Sequence, residues 1–276
     1  MARDFRELLE TKWDEGKFLC VGLDSDLVKI PEAAQKEDTR TTMVAFNRAI
    51  IDATKTVVCA YKPNPAFYEA RGEEGYAALR ETIAYILDVA PDIPVILDAK
   101  RGDILSTNEQ YAISAFEHLR ADAITVHPYL GAEPLKPFFD REERGIIVLC
   151  HTSNPGAKEM QNLSVDGGEQ LYKYVARSAA ERWNAKGNCS LMVGATYPEE
   201  LGEVRSIVGD MPILVAGVGA QNGDLEKTVQ RGLDSRRRGL IVNASRSVIF
   251  ASKGEDFAEI AGARARELDS KIRESL

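Results

Sequence analysis

Eight short apolar runs, each followed by a longer stretch with polar residues, constrain this chain more than any other feature. They cover residues 18–23, 57–61, 95–97, 123–126, 146–150, 191–195, 213–216 and 240–242. A run that is apolar at successive positions, rather than at every second one, suits a strand buried on both faces, as in a parallel sheet. Parallel neighbours need crossover connections, and the intervening stretches are long enough to hold helices. Apolar residues recur at helical spacing over 42–51, 76–87, 109–116 and 257–268. Eight such units in 276 residues fit one (β/α)8 TIM barrel, a single α/β domain over 1–276. A doubly wound open sheet is the competing architecture, and the count of eight favours closure.

Composition narrows the partners. Lys and Arg number 35 against 43 Asp and Glu, a net charge of −8 at pH 7. That balance argues against a nucleic-acid polymer as partner, but not against a basic pocket for a small phosphate. No apolar run approaches the roughly 18–20 residues that cross a bilayer, so no membrane partner is expected. The opening Met1-Ala2-Arg3-Asp4-Phe5-Arg6-Glu7 lacks the apolar core of a signal peptide, and a cytoplasmic location is expected. Cys20, Cys59 and Cys150 lie inside apolar runs and Cys189 just before one, with no metal-binding spacing. They are expected to be buried free thiols of a reducing compartment.

The ends of the runs carry the chemistry. Beyond or at the end of each stand Asp24, Lys62, Asp98 with Lys100, His127, Ser153, Thr196, Gln221 and Arg246. A barrel keeps its active site at the C-terminal ends of its strands, so these residues would converge on one mouth. Solvated loops account for part of this polarity. They account poorly for lysines and aspartates inside or beside apolar runs. Asp98 and Lys100 are two apart and share a strand face. Asp103 follows after a turn containing Gly102. An acid–base–acid row beside a buried strand is costly unless its charges pair. It is either a satisfied salt bridge or an ammonium held between carboxylates, which stays protonated and serves as electrostatic stabiliser and acid. After the seventh run, Gly217-Val218-Gly219 permits close backbone approach to an anion. Arg246, after the eighth, adds a permanently charged fork, which completes a barrel's usual phosphate site. His118, His127, Trp13 and Trp183 read as structural residues, His151 as support for the loop after the fifth run, and Arg236-Arg237-Arg238 as a solvated loop. No His and carboxylate spacing requires a metal.

Asp98-Ala99-Lys100-Arg101-Gly102-Asp103-Ile104 resembles the Asp-x-Lys-x-x-Asp signature of the orotidine 5′-phosphate decarboxylase family. Five further segments are similar to that family, in family order. They are Gly22-Leu23-Asp24, Lys62-Pro63-Asn64-Pro65-Ala66-Phe67-Tyr68, Thr152-Ser153-Asn154-Pro155-Gly156, the stretch 216–224, and Asn243-Ala244-Ser245-Arg246-Ser247. The 152–156 segment has the form of a longer, largely bacterial branch. Leu105 and Asn108 depart from the pattern, which has small residues there.

The resemblance implies a cofactor-free, metal-free decarboxylation of orotidine 5′-phosphate to uridine 5′-phosphate and CO2 in pyrimidine biosynthesis. Its partner is then a small-molecule nucleotide. Lys100 would stabilise and protonate the C6 carbanion, with Asp98 beside the scissile carboxylate. Lys62 would bridge Asp98 and the ribose, and Asp24 would accept a ribose hydroxyl. The family is a homodimer with shared active sites, so Asp103 and Thr107 would serve the neighbouring subunit. Ser153 would bind the pyrimidine edge, and Gln221, Gly217, Gly219 and Arg246 the phosphate side. Three other functions compete. A Schiff-base aldolase would use Lys62 or Lys100 with a depressed pKa, which flanking carboxylates oppose. A magnesium-dependent sugar-phosphate decarboxylase shares the signature, but the 153–156 loop argues against it. A non-catalytic nucleotide sensor would have no need of Asp98 and Lys100.

Overall fold

The computed structural model describes residues 3–218 and 225–276. Each apolar run falls on one strand: β1 Leu19–Leu23, β2 Val58–Pro63, β3 Ile96–Arg101, β4 Ala123–Val126, β5 Gly145–His151, β6 Cys189–Gly194, β7 Ile213–Ala216 and β8 Leu240–Ala244. Hydrogen-bonded neighbours are parallel, in the order β2-β1-β8-β7-β6-β5-β4-β3. The two ends of that order meet. Tyr61 pairs with Val95 in a parallel bridge, and the Tyr61 amide donates to the Pro94 carbonyl at 3.0 Å. The sheet is therefore a closed barrel, not the open alternative.

Strands β1, β2, β4, β6 and β8 are buried at every position. One face fills the barrel and the other lies under helices, which is why the runs do not alternate. The helices expected at 42–51, 76–87 and 257–268 lie within Thr39–Thr54, Gly72–Val89 and Phe257–Glu274. The one expected at 109–116 begins as Leu105–Ile113 and finishes in a wider π turn, Ser114–His118. Local chemistry sets the starts: the Asp38 carboxylate accepts from the Thr41 amide at 2.7 Å and caps Thr39–Thr54. Phe46 of that helix stacks on Phe250 and on Phe257, each at 5.5 Å between centroids. This stack ties the first crossover to the last helix, and truncating Phe46 to Ala should cost about 3–5 kcal/mol.

The N-terminal helix Phe5–Asp14 closes one end of the barrel. Phe5 packs on Gly145, the first residue of β5, where a Cβ would come within 2.1 Å of the ring. The Trp13 indole donates to the Leu240 carbonyl, at the start of β8, at 2.7 Å. With the N-terminal end plugged, the opposite end is the accessible mouth. The four cysteines are free and buried, and burial pushes the Cys20 thiol up to about 12.

Candidate active site

A three-charge centre stands at the mouth. Asp98 of β3 is buried and accepts three hydrogen bonds. One carboxylate oxygen takes Lys62 Nζ, from β2, at 2.7 Å. The other takes Lys100 Nζ at 2.6 Å and Thr125 Oγ1, from β4, at 2.9 Å. Burial alone would raise the Asp98 carboxyl, but the Lys62 and Lys100 ammonium groups outweigh it and hold the pKa well below the usual carboxylate range. Burial would likewise lower Lys62, yet the Asp98 and Asp24 carboxylates raise it above an ordinary lysine. The two buried charges, Asp98 and Lys62, are therefore retained at neutral pH. Lys62 is enclosed, at 3% side-chain exposure, while Lys100 opens to the mouth at 43%.

Asp98 and Lys100 meet as expected, but not through regular strand alternation. The β3–β4 register shifts between Leu97 and Arg101, and Lys100 has φ +47°. That left-handed conformation is unfavourable for a residue with a side chain. Thr125 compensates: its hydroxyl accepts the Lys100 amide at 2.8 Å while donating to Asp98. One threonine thus holds both the kinked backbone and the carboxylate. Sequence reasoning passed over Thr125, because a threonine inside Ala-Ile-Thr-Val is an ordinary strand residue. What sets it apart is its pair of hydrogen bonds at the β3 kink, which only the folded chain reveals.

Asp24 follows β1, and one of its oxygens is buried without a hydrogen-bond partner among the described residues. Asn243 Oδ1, Thr196 Oγ1 and Ser247 Oγ are in the same condition at the ends of β8 and β6 and just past β8. Buried polar atoms left unpaired are costly and are candidates for ligand contacts. Gly102 admits the His127 ring, which would lie 2.5 Å from a Cβ there. Ser153 lies over β6, its backbone only 2.7 Å from where a Gly194 Cβ would stand. Its loop is held by Gln161, whose Oε1 accepts the Thr152 amide at 2.8 Å. His151, the last residue of β5, contacts Asn162 Oδ1 at 3.0 Å and packs edge-on to Tyr172 and Tyr197. That matches support of the loop.

On the phosphate side, Gly217 has φ +94° and lies 3.4 Å, measured from its would-be Cβ, from Ser153 Oγ. Gly219 and Gln221 lie outside the described residues. Arg246 is exposed at the end of β8 and makes no ion pair among the described residues. Asp103 and Thr107 make no hydrogen bond or ion pair to the charge centre among the described residues. The Asp103 carboxylate has no ion pair among the described residues and accepts only the Ile104 amide, at 2.7 Å. Thr107 is half-buried in the first turn of Leu105–Ile113. Among the described residues, no group of three or more His, Cys, Asp or Glu could hold a metal ion.

The likeness to known proteins extends over the whole barrel. A model of the orotidine 5′-phosphate decarboxylase / HUMPS family matches residues 17–259. An orotidine 5′-phosphate decarboxylase of Cellvibrio japonicus is 50% identical over 269 residues, 97% of each chain. One from an Azoarcus species is 48% identical over 268 residues, again 97% of each. The solved structure of Leishmania donovani OMP decarboxylase superposes with a TM-score of 0.84 at 38% identity, covering 98% of this chain and 99% of that one. With that match over nearly its full length, and the signature segment at its charged centre, the chain belongs to the orotidine 5′-phosphate decarboxylase / HUMPS family.

Proposed function

We propose that the barrel mouth decarboxylates orotidine 5′-phosphate to uridine 5′-phosphate and CO2, with Lys100 as the acid and no cofactor. The observation that carries this reading is a buried carboxylate held between two ammonium groups, one enclosed and one facing the mouth. As the bond from C6 to the carboxylate breaks, its electron pair stays on C6 and CO2 departs. Lys100 Nζ opposes the growing negative charge and then gives C6 its proton. The lysine regains a proton from solvent at the open mouth. A unit charge about 4 Å away is worth on the order of 4 kcal/mol at an effective dielectric near 20. That is roughly a thousandfold in rate, so the rest must come from positioning and remote binding.

Asp98 aims Lys100 through their hydrogen bond, and Lys62 neutralises Asp98 and reaches the ribose. Asp24 accepts a ribose hydroxyl. Ser153 meets the pyrimidine edge. Gly217, Gly219, Gln221 and Arg246 form the phosphate handle, whose binding energy closes the loop around Ser153. The chain works as one barrel domain, in the cytoplasm, and as a homodimer in which Asp103 and Thr107 serve the partner's site. A Schiff-base mechanism on Lys62 runs against the charge pattern, because the Asp98 carboxylate favours its protonated form.

Purified protein in EDTA should consume orotidine 5′-phosphate, followed by ultraviolet absorbance. No loss of substrate would overturn the reading. The shared site has its own test. Asp103→Ala chains mixed with Lys100→Ala chains should recover activity, because a heterodimer then gathers both defects in one site and leaves the other intact. If subunits exchange and activity stays at the parental level, Asp103 acts within its own subunit.

A further inference from the structure

We propose that Asn108 is the positioning residue that aims the Asp103 carboxylate; this rests on the role given to Asp103 above. Asn108 has no solvent exposure. Its side-chain oxygen accepts the Asp103 amide at 3.0 Å, and its side-chain nitrogen donates to the Asp103 carbonyl at 2.8 Å. The same nitrogen donates to the Pro134 carbonyl at 2.7 Å. Both amide protons and the oxygen are thus used, as a buried asparagine requires.

One side chain therefore clamps both backbone groups of Asp103, as a neighbouring strand would. It does so where strand pairing has run out: the last β3–β4 pair is Arg101 with Val126, and the His127 amide still reaches the Arg101 carbonyl at 2.9 Å. Beyond that point the turn is on the surface, with Ile104 58% and Leu105 43% exposed. The Asp103 carboxylate has no cation to hold it among the described residues, unlike Asp98. Its direction follows from its backbone, and its backbone is held by Asn108. The bond to Pro134 anchors this clamp to the connection after β4 rather than to the exposed side chains of the turn. The exposed apolar pair beside Asp103 suits a face that a second copy of the chain covers.

Asn108→Ala leaves the Asp103 amide and carbonyl without these partners. A displacement of about 1 Å in a site group can cost on the order of 100-fold, so a 10- to 100-fold loss in kcat is expected, with a smaller change in KM. A double-mutant cycle separates positioning from general stability. On an Asp103→Ala background, Asn108→Ala should cause little further loss of kcat. If Asn108→Ala fails to fold, Asn108→Ser, which keeps one hydroxyl donor, replaces it in the same cycle. Full activity of the Asn108 variant, or its full loss again on the Asp103→Ala background, overturns the positioning inference alone. An Asp103→Ala protein with normal kcat overturns the role of Asp103, and the clamp with it.

Discussion

The two ends of the barrel differ in how they hold their charged groups, although the plugged end also buries Asn188 Oδ1 and Asp234 Oδ2 without a hydrogen-bond partner among the described residues. At the plugged end, buried charges are locked to fixed partners. Arg3 makes two 2.8 Å bonds to Asp122, which also accepts the Val95 amide at 2.8 Å. Arg205 donates to the carbonyls of Gly209, Met211, Gly232 and Gly239 at 2.5–3.0 Å. Buried Lys12 pairs with Glu15 and Asp92. At the mouth, Asp24, His127, His151, Thr196, Asn243 and Ser247 each bury an atom with no hydrogen-bond partner among the described residues. Lys100 has a strained backbone, and Arg246 makes no ion pair among the described residues there. Polar groups satisfied by the protein hold the fold. Polar groups left unsatisfied are available to a substrate, and a fold carries them at some cost in stability.

The sharpest way to break this division is Lys100→Ala. Losing the charge removes on the order of 4 kcal/mol of carbanion stabilisation. Losing the positioned acid adds roughly 10²–10⁴-fold. Turnover should fall by about 10⁵-fold or more while product nucleotide still binds and the unfolding midpoint holds, because the side chain is half exposed. A large stability loss without a rate loss would place Lys100 in the structural class.

Asp98 belongs to both classes, and its pH dependence shows it. Its folded pKa lies below the unfolded value, so its contribution to stability is full above the ordinary carboxylate range and is lost as pH falls through the folded value. Lys62 has the opposite sign: its folded value is raised, so its contribution is full below about 10.4 and is lost as pH rises through the folded value. Asp98→Asn deprives buried Lys62 of the carboxylate it is hydrogen-bonded to, leaving only the Asp24 charge. It should cost about 3–5 kcal/mol, read from denaturant unfolding at pH 7, and should flatten the acid limb of stability. An unchanged midpoint would mean that the centre contributes nothing to the fold.

Much of this was legible beforehand because it depends on near-neighbour pattern. All eight strands follow from runs whose outer face is covered, and the closeness of Asp98 to Lys100 in sequence anticipates their pairing, though not the kink at Lys100 that brings it about. What escaped depends on contacts between distant segments. Thr125 looks like any strand threonine until β3 kinks against it. Asn108 is visible only as a departure from the family pattern, and its clamp needs Pro134 in place. The arginine stretch 236–238 reads as solvated, yet Arg236 lies near Glu10 and Asp210 and Arg238 pairs with Asp14, fastening the N-terminal helix. No local signal joins position 14 to position 238.

Arg246 sharpens the comparison further along the mouth. A charge-assisted contact to phosphate is worth about 1.5–3 kcal/mol, so Arg246→Ala should lower kcat/KM by roughly 10- to 150-fold. Orotidine, which lacks the phosphate, should be turned over equally by both proteins. Equal losses on both substrates would mean that Arg246 holds the fold. Thermal unfolding should barely change, since the side chain is exposed.

The smallest expected effect lies at the plugged end. Trp13→Phe removes the indole donor to the Leu240 carbonyl and keeps most of the buried ring. A neutral hydrogen bond contributes about 1 kcal/mol net, rising to about 3 if the carbonyl is left buried and unpaired. For a chain of this size, each kcal/mol moves the melting temperature by about 2–4 °C. The variant should melt a few degrees lower, with kcat and KM unchanged when assayed well below the transition. The division between the ends predicts that sign and that silence, because Trp13 fastens the plug and reaches none of the mouth residues. A fall in kcat at unchanged melting temperature would show that the plug transmits to the mouth through β8, whose far end carries Asn243 and leads into Arg246. Stability and catalysis would then be coupled along that strand rather than divided between its ends.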